Sequence, residues 1–453
     1  MKKILEIGII ILFFSFIFGC SSEKTYDITF IMGDQAENII YQISEDTTIN
    51  ETPEPLDNNH LFLGWYTDSN FNELFDFNQE ITGNTTIYAR YSIYELGKEN
   101  YIAFEQNEKW GFMLPTGDVV VEAKYDHVEP FRYGYALVVE GDKFSFINPI
   151  GEEFDYWFDY NPVAYSGNIQ FNNYSLAKVY VDKNVTKIIN TKGEIVYETS
   201  LFIPFEAYYE DGLIPAYLYD DSNERTDECV YLNTEGEIAL QGNYHNCSSF
   251  NNGLAKVEIN SKVVFINQSG EVVIDGNYSA AFEMFDGIKP VYFNEGYAIV
   301  KTYASLTDSS IVSKYLIIDR EGNEIAEFNP DTDIPIYVID GYILTKNYND
   351  QVAIYDFLGN KILDYQYYLG GYPAIGIFEN KIVVKDESGI SGVINVTTGN
   401  IMIDFQYEYI AGFKDGYSIA KKNGMYGIIN QDNSIIIDFE YSNLESVYHI
   451  FMY

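Results

Sequence analysis

Positive charge is scarce in this sequence. Only 27 Lys and Arg residues stand against 68 Asp and Glu residues, which gives the 453-residue chain a formal net charge of −41. Nucleic-acid phosphates and anionic lipid headgroups should repel such a chain. We therefore expect no nucleic-acid partner and no membrane attachment through a basic surface. A partner held by long-range charge must be basic or must bring divalent cations.

Residues and motifs that carry metal or nucleophilic chemistry are equally scarce. The four histidines are scattered and never share the spacing of metal ligands on one element: His60, His127, His245 and His449. The sequence contains no Walker loop, no HExxH, no nucleophile elbow and no EF-hand loop. Its carboxylates are too numerous for a catalytic pair to be picked out by counting. We predict no cofactor, no tight metal site and no catalytic residue, with calcium binding only weakly.

Cysteine occurs three times, at Cys20, Cys229 and Cys247. Asp227 and Glu228 precede Cys229, and this negative charge raises the pKa of a thiol, which argues against a nucleophile. Outside the cell, a disulfide between Cys229 and Cys247 is the natural alternative. It requires the two Cα atoms to lie within about 7 Å of each other.

A long hydrophobic run occurs only at the start of the chain, from Ile7 to Phe18 after Lys2 and Lys3. It is short for a membrane-spanning helix and is typical of a signal peptide. Its end, Ile17-Phe18-Gly19-Cys20, resembles the lipobox of bacterial lipoproteins. The resemblance implies a signal peptide over 1–19, lipidation of Cys20, a tether over 20–25, and anchoring on the extracellular face of the membrane. The alternative is an ordinary secretory signal with an incidental cysteine.

Residues 26–93 form a first β-rich segment, which begins with a strand at Tyr26 to Phe30. The blocks GWYT (64–67), FDF (75–77) and IYARY (87–91) resemble the Listeria–Bacteroides repeat of bacterial surface proteins. This resemblance implies a small β module used as a spacer or adhesive element. We expect Trp65, Phe75, Phe77 and Tyr88 to form its core.

Residues 100–453 repeat one short pattern. An apolar strand is followed by Asn or Asp, two variable residues, Gly, a polar residue and a second apolar strand, as in IINTKGEIV (188–196) and FINQSGEVV (265–273). The Asn or Asp should cap the turn and the Gly should take the left-handed conformation that closes a hairpin. This turn position recurs at 117, 151, 193, 236, 270, 322, 359, 399 and 433, where Asn433 replaces Gly. The register is weakest around 160–230 and 300–345.

The block KWGF (109–112) and the block MYGIIN (425–430) resemble the WG repeat of bacterial proteins. The resemblance implies a β-rich repeat scaffold and no catalytic mechanism. We predict an all-β protein in which tandem antiparallel hairpin or meander repeats follow the small module. Because nine repeats exceed the usual four to eight propeller blades, we favour an open, curved or superhelical array. A propeller-like ring closed by strand exchange is the alternative.

Aromatic residues make up 17% of the chain. Exposed rings could stack on sugars or grip a peptide, although we expect most rings to fill the core. We therefore predict a surface lipoprotein that acts as a non-enzymatic binding or adhesion scaffold for a protein or glycan. The alternatives are an extracellular glycan-acting enzyme and a structural stalk without a ligand.

Overall fold

The computed structural model describes residues 24–33, 37–54, 57, 59–159, 170–182, 185–204, 207, 209, 211–260, 262–280, 293, 296–305, 308–370, 377–378 and 380–446. These residues contain strands, turns and loops but no helix, so the predicted all-β class is confirmed. No helix in this part of the chain could therefore cross a membrane. The chain divides into two compact units, an N-terminal module up to Leu96 and a repeat region from Gly97 onward.

The N-terminal module is one sheet of four strands in the order β2-β1-β4-β3. Its strands are β1 (Thr25–Ile31), β2 (Ile39–Ser44), β3 (His60–Tyr66) and β4 (Thr85–Glu95). Trp65 and Phe75 lie in its core, and Phe77 packs against that core, as predicted. Tyr88 does not belong to the core cluster, because alternation along β4 turns Ile87 and Ala89 inward instead.

The repeat region consists of nine sheets or sheet portions within the described residues, and we number them as repeats 1–9 in chain order. Repeat 1 contains β5 (Ile102–Gln106), β6 (Lys109–Met113) and β7 (Val119–Tyr125). Repeat 2 contains β8 (His127–Val128), β9 (Ala136–Glu140), β10 (Lys143–Ile147) and β11 (Phe158–Asp159). Repeat 3 contains β12 (Leu176–Asp182), β13 (Val185–Asn190) and β14 (Ile195–Thr199). Repeat 4 contains β15 (Ile214–Tyr219), β16 (Arg225–Leu232) and β17 (Ile238–Leu240). Repeat 5 contains β18 (Leu254–Ile259), β19 (Lys262–Asn267) and β20 (Val272–Ala280). Repeat 6 contains β21 (Tyr297–Ser305), β22 (Asp308–Asp319) and β23 (Glu324–Phe328). Repeat 7 contains β24 (Ile334–Ile339), β25 (Tyr342–Lys346), β26 (Gln351–Asp356) and β27 (Lys361–Leu369). Repeat 8 contains β28 (Ile377–Phe378), β29 (Lys381–Lys385), β30 (Ser391–Asn395) and β31 (Ile401–Tyr407). Repeat 9 contains β32 (Tyr409–Ile410), β33 (Tyr417–Lys422), β34 (Met425–Asn430) and β35 (Ile435–Tyr441). A last short strand, β36 (Leu444–Ser446), follows repeat 9.

All nine predicted turn positions have positive φ. The eight glycines lie between +70° and +95°, and Asn433 lies at +63°. The Asn or Asp at the first turn position caps the backbone as expected. In Asn267, for example, the side-chain oxygen accepts hydrogen bonds from the amides of Ser269 and Glu271, both at 3.0 Å. These turns join the last two strands of every repeat.

At several junctions between described repeats, the chain that leaves the third strand of one repeat pairs with the sheet of the next repeat. Only one residue, Asp126, separates β7 in repeat 1 from β8, which pairs with β9 in repeat 2. The strand β20 is long enough to pair first with β19 and then, at Ser279 and Ala280, with β21 of the following repeat. This strand pairing links neighbouring sheets by backbone hydrogen bonds as well as by side-chain packing.

The two ends of the repeat region pair with each other, which corrects our preference for an array with free ends. Strand β36 pairs antiparallel with β5, with Leu444 opposite Phe104 and Ser446 opposite Ile102. It thus completes the sheet β36-β5-β6-β7 in the same way that β8 begins the sheet of repeat 2. This is the strand exchange that the ring alternative predicts.

Side-chain packing supports this closure. A buried cluster joins Ile102, Phe104 and Met113 of repeat 1 to Ile419 and Ile428 of repeat 9. Comparable clusters join neighbouring repeats elsewhere, such as Val393 of repeat 8 with Ile429 of repeat 9. The sequence left the closure undecided because it depends on the small rotation accumulated from repeat to repeat, which turn chemistry does not encode.

Candidate functional site

The most regular exposed feature of the repeat region is a pair of aliphatic side chains at the start of the third strand. They follow the turn residue by two and three positions and are 37–53% exposed: Val119, Ile195, Val196, Ile238, Val272, Val273, Ile401, Met402, Ile435 and Ile436. Surface aliphatics scattered singly need no explanation, but repetition at one position of a repeat makes a patterned surface.

A β-bulge explains why both residues of the pair are exposed. In β35, Ile435 is opposite Ile429 and Ile437 is opposite Ile428, so Ile436 has no partner of its own. The extra residue interrupts the inward–outward alternation of the strand, and Ile435 and Ile436 both face solvent while Ile437 remains buried. The same register shift occurs in the other repeats that carry the pair, for example between Val119 and Val121.

The exposed pairs fall into two groups, which we call arc A and arc B. Arc A consists of Ile401, Met402, Ile435, Ile436 and Val119 from repeats 8, 9 and 1, which are consecutive because the ends of the region pair. Arc B consists of Ile195, Val196, Ile238, Val272 and Val273 from repeats 3–5. Charged residues replace the first aliphatic residue in repeats 2, 6 and 7 and separate the arcs: Glu153, Glu324 and Lys361.

The two arcs differ in the state of their carboxylates. In arc A, Asp404, Asp438 and Glu122 stand three residues after the first aliphatic residue, are exposed, and have no side-chain partner within the described ranges. In arc B, two of the corresponding carboxylates form ion pairs with lysine side chains. Glu198 lies 3.1 Å from Lys187, and Asp275 lies 2.5 Å from Lys262. Arc A is thus apolar and acidic, whereas arc B is apolar with paired charges.

Each strand that carries arc A ends its sheet. Strand β7 is last in β36-β5-β6-β7, β35 is last in β32-β33-β34-β35, and β31 ends the path that begins at β24. A terminal strand has backbone N–H and C=O groups on one side that no neighbouring strand of the same sheet uses. In the part of the chain that the structure describes, arc A therefore combines exposed aliphatic side chains, carboxylates without side-chain partners and strand edges.

Few aromatic rings are exposed on the described surface, although the sequence had left open that exposed rings bind a ligand. Among the described residues, the aromatic side chains classed as exposed are Tyr156, Tyr174 and Tyr348. Most other rings pack in pairs, such as Phe112 against Phe131 with centroids 4.7 Å apart. The exposed aliphatic pairs were missed from the sequence, although two successive apolar residues after a turn cannot both point inward along a regular strand.

A group of titratable side chains lies where the ends of the repeat region meet. His127 Nε2 is 3.1 Å from a Glu129 carboxylate oxygen, and this contact raises the pKa of the imidazole. Burial raises the pKa of the Glu445 carboxyl, and the nearby carboxylates of Glu129 and Glu105 raise it further. The group joins β36, β5 and β8, so its protonation is linked to the closure.

The structure brings one pair of predicted site residues together. Cys229 and Cys247 are joined by a disulfide, with Cα atoms 6.2 Å apart, and both are buried. Tyr217 donates a hydrogen bond of 2.8 Å to the Cys247 carbonyl and covers one side of this pair. Cys20 lies outside the described residues, so its lipidation stays a prediction.

The described histidines stay apart from one another. His60 pairs with Asp57 at 2.8 Å in the N-terminal module, and His245 pairs with Asp227 at 3.3 Å in repeat 4. The described residues contain no group of three or more His, Cys, Asp or Glu side chains placed to hold a metal ion. His449 lies outside the described residues.

Two family models match the chain. The Listeria–Bacteroides repeat domain matches residues 26–90. The WG containing repeat matches residues 110–144, 231–262, 265–303, 392–426 and 426–449. No curated protein is significantly similar to the chain in sequence.

Several solved structures resemble the chain distantly. BamB from Moraxella catarrhalis is 11% identical, with a TM-score of 0.38 over 59% of this chain and 85% of its own. Apo AztD from Citrobacter koseri is 12% identical, with a TM-score of 0.37 over 67% and 92%. The computationally designed Ika8 protein is 10% identical, with a TM-score of 0.36 over 67% and 93%. These likenesses are too distant to support a conclusion about this chain.

Proposed function

Because the chain contains a Listeria–Bacteroides repeat domain followed by WG-containing repeats, we propose that it is a non-enzymatic scaffold that binds another protein. The observation that carries this proposal is the recurrence of exposed aliphatic pairs on the third strands in arcs A and B. Extended repeat surfaces of this kind offer many equivalent contacts to one partner. Their apolar side chains gain free energy when a partner removes them from water.

The surface chemistry favours a protein over a glycan as the ligand. Sugar recognition relies on the faces of aromatic rings, and few rings are exposed in the described residues. Branched aliphatic side chains next to strand edges instead suit a polypeptide, which can offer both apolar side chains and backbone hydrogen bonds. A protein is therefore the partner class that these contacts support best.

The proposed location is the extracellular face of a bacterial membrane, with the chain held by lipid on Cys20. The support is the sequence Ile17-Phe18-Gly19-Cys20 after a short hydrophobic run. Cys20→Ala should abolish labelling by palmitate and leave the precursor uncleaved. Labelling that persists in this variant would contradict the anchor.

A pull-down against cell-surface extracts tests the scaffold role. The bait is the soluble chain from Ser21 to Tyr453, and its test variant replaces four arc residues by asparagine: Ile238, Val272, Ile401 and Ile435. A matched control replaces Ile40 and Ile93, exposed aliphatics of the N-terminal module, by asparagine. The proposal predicts a reproducible protein partner that the test variant loses and the control retains. Equal capture by all three baits would overturn the role of the arcs.

An enzyme is the second candidate, and the group around Glu445 is the observation that favours it. A carboxyl whose pKa is raised by burial beside other carboxyl groups is a common arrangement for acid–base catalysis. Incubating the soluble chain with glycans and peptides tests this candidate. Product release that Glu445→Gln abolishes, in a variant that melts like the parent, would replace the scaffold by an enzyme.

A further inference from the structure

The charge pattern of arc A specifies its partner more closely than the scaffold role does. Each of its three strands presents an exposed aliphatic side chain and, three residues later, a carboxylate that has no side-chain partner among the described residues: Ile401 with Asp404, Ile435 with Asp438, and Val119 with Glu122. At about 3.3 Å per residue, the two features are roughly 10 Å apart along the strand. A ligand that satisfies both must be extended and must carry apolar and cationic groups in alternation along one face, because every second side chain of a strand points to the same side.

The strand edges provide the remaining contacts. Strands β7, β31 and β35 end their sheets, so an added strand can form a backbone ladder with any of them. The side chains of an added strand that face the same side as Ile435 and Asp438 would then lie beside them. Valine or isoleucine fits against Ile435 and Ile436, whereas lysine or arginine pairs with Asp438.

Charge excludes a second copy of this chain as the occupant. An identical edge would place the carboxylates of Asp404, Asp438 and Glu122 opposite one another, within a chain that already carries a net charge of −41. Like charges directly opposite each other across two strands are destabilising. Arc B does not share this preference for a cation, because Lys187 and Lys262 already pair with its carboxylates.

We propose that arc A binds an extended polypeptide segment in which aliphatic residues and lysine or arginine alternate at every second position, so that both kinds of side chain lie on one face, and that this segment adds as a strand to the edge of β35, β31 or β7. This proposal rests on the scaffold function and names its partner class. It assigns the apolar contact to Ile401 and Ile435 and the electrostatic contact to Asp404, Asp438 and Glu122.

The test uses a capped nine-residue peptide, called the valine–lysine peptide, in which valine and lysine alternate at the odd positions and serine occupies the even positions, so that valine and lysine share one face. The peptide is titrated into the full soluble chain and binding is followed by calorimetry. The proposal predicts saturable binding that weakens as salt rises, because exposed charge pairs are screened. The variant Asp404→Asn/Asp438→Asn/Glu122→Gln should lower the affinity by about tenfold or more. Ile401→Asn/Ile435→Asn should lower it to a similar degree, since it removes the apolar contact.

Controls separate this mode of binding from simple charge attraction. Ile40→Asn/Ile93→Asn in the N-terminal module should leave the affinity unchanged, because these exposed aliphatic residues lie outside both arcs. A lysine–serine peptide should bind at least about tenfold more weakly, and so should a valine–lysine peptide with alternate amides N-methylated, since it cannot form the ladder. Circular dichroism melts confirm that each variant is folded.

The proposal would be overturned if the valine–lysine peptide showed no saturable binding, or if both arc A variants retained the binding. Equal binding of the lysine–serine peptide would reduce the site to non-specific charge attraction and would also overturn it. These failures are distinct from failure of the scaffold function. A surface protein captured through arc B alone would preserve the scaffold role and reject the strand-addition site.

Discussion

Gly111→Ala tests why the Trp-Gly position of a repeat requires glycine. Gly111 lies on β6 opposite the bulge of β7, and a Cβ there would be 2.4 Å from the Val121 carbonyl oxygen and 2.7 Å from the Ala123 amide nitrogen. These neighbours are backbone atoms, so β7 itself must move. Overpacking of this kind costs about 1–3 kcal/mol.

Thermal unfolding followed by circular dichroism measures this cost. For a cooperative unit of about 350 residues, an unfolding entropy of roughly 2.1 cal/mol/K per residue converts the loss into a decrease in Tm of about 1–4 °C. Gly83→Ala is the matched control, because Gly83 has no positive φ and nothing lies within 4 Å of its added Cβ. If Gly111→Ala melts at the same temperature as Gly83→Ala, the close approach of the two strands does not explain the glycine.

Three further outcomes are expected. Gly270→Val should destabilise its turn by about 1–2 kcal/mol or more in chemical denaturation, because φ is +79° and the Cβ meets Tyr244; an unchanged midpoint would reject the turn assignment. The raised pKa values of Glu445 and His127 mean that the folded state favours their protonated forms. Their stabilisation is therefore complete below their unfolded pKa values and is lost as pH rises through the folded ones. Tm should therefore fall as pH rises above the ordinary pKa values of these two groups, 4.5 and 6.5, and Glu445→Gln should flatten this slope; an equal slope in the variant would contradict the linkage. Cys229 and Cys247 should resist alkylation in denaturant until they are reduced, and their bond should contribute roughly 3 kcal/mol through its 18-residue separation; labelling of the denatured, unreduced chain would exclude the disulfide.

The local part of the fold was predictable from the sequence. A turn depends on a few adjacent residues, so Asn267 and Gly270 are sufficient to identify a capped turn with positive φ. The nine turn positions therefore located nine repeats, even where spacing was irregular. The core of the N-terminal module was less certain, because Tyr88 lies one residue away from the inward-facing positions of β4.

Long-range features could not be derived in the same way. Pairing of Leu444 with Phe104 joins residues 340 positions apart in the chain, and nothing adjacent to either residue encodes it. Arc A depends on this closure, since Val119 of repeat 1 becomes a neighbour of repeat 9 only when the ends meet. Its apolar pairs were nevertheless visible in the sequence as two successive aliphatic residues after each turn. Their exposure follows once the bulge is known.

Amide hydrogen exchange of the soluble chain, with and without the surface protein that it captures, tests the scaffold role most directly. Backbone amides without a partner exchange freely, and an added strand protects them. The account predicts new protection in the edge strands of arc A, at residues 119–122, 401–404 and 435–438. Protection confined to the N-terminal module, or to the residues around Glu445, would contradict it.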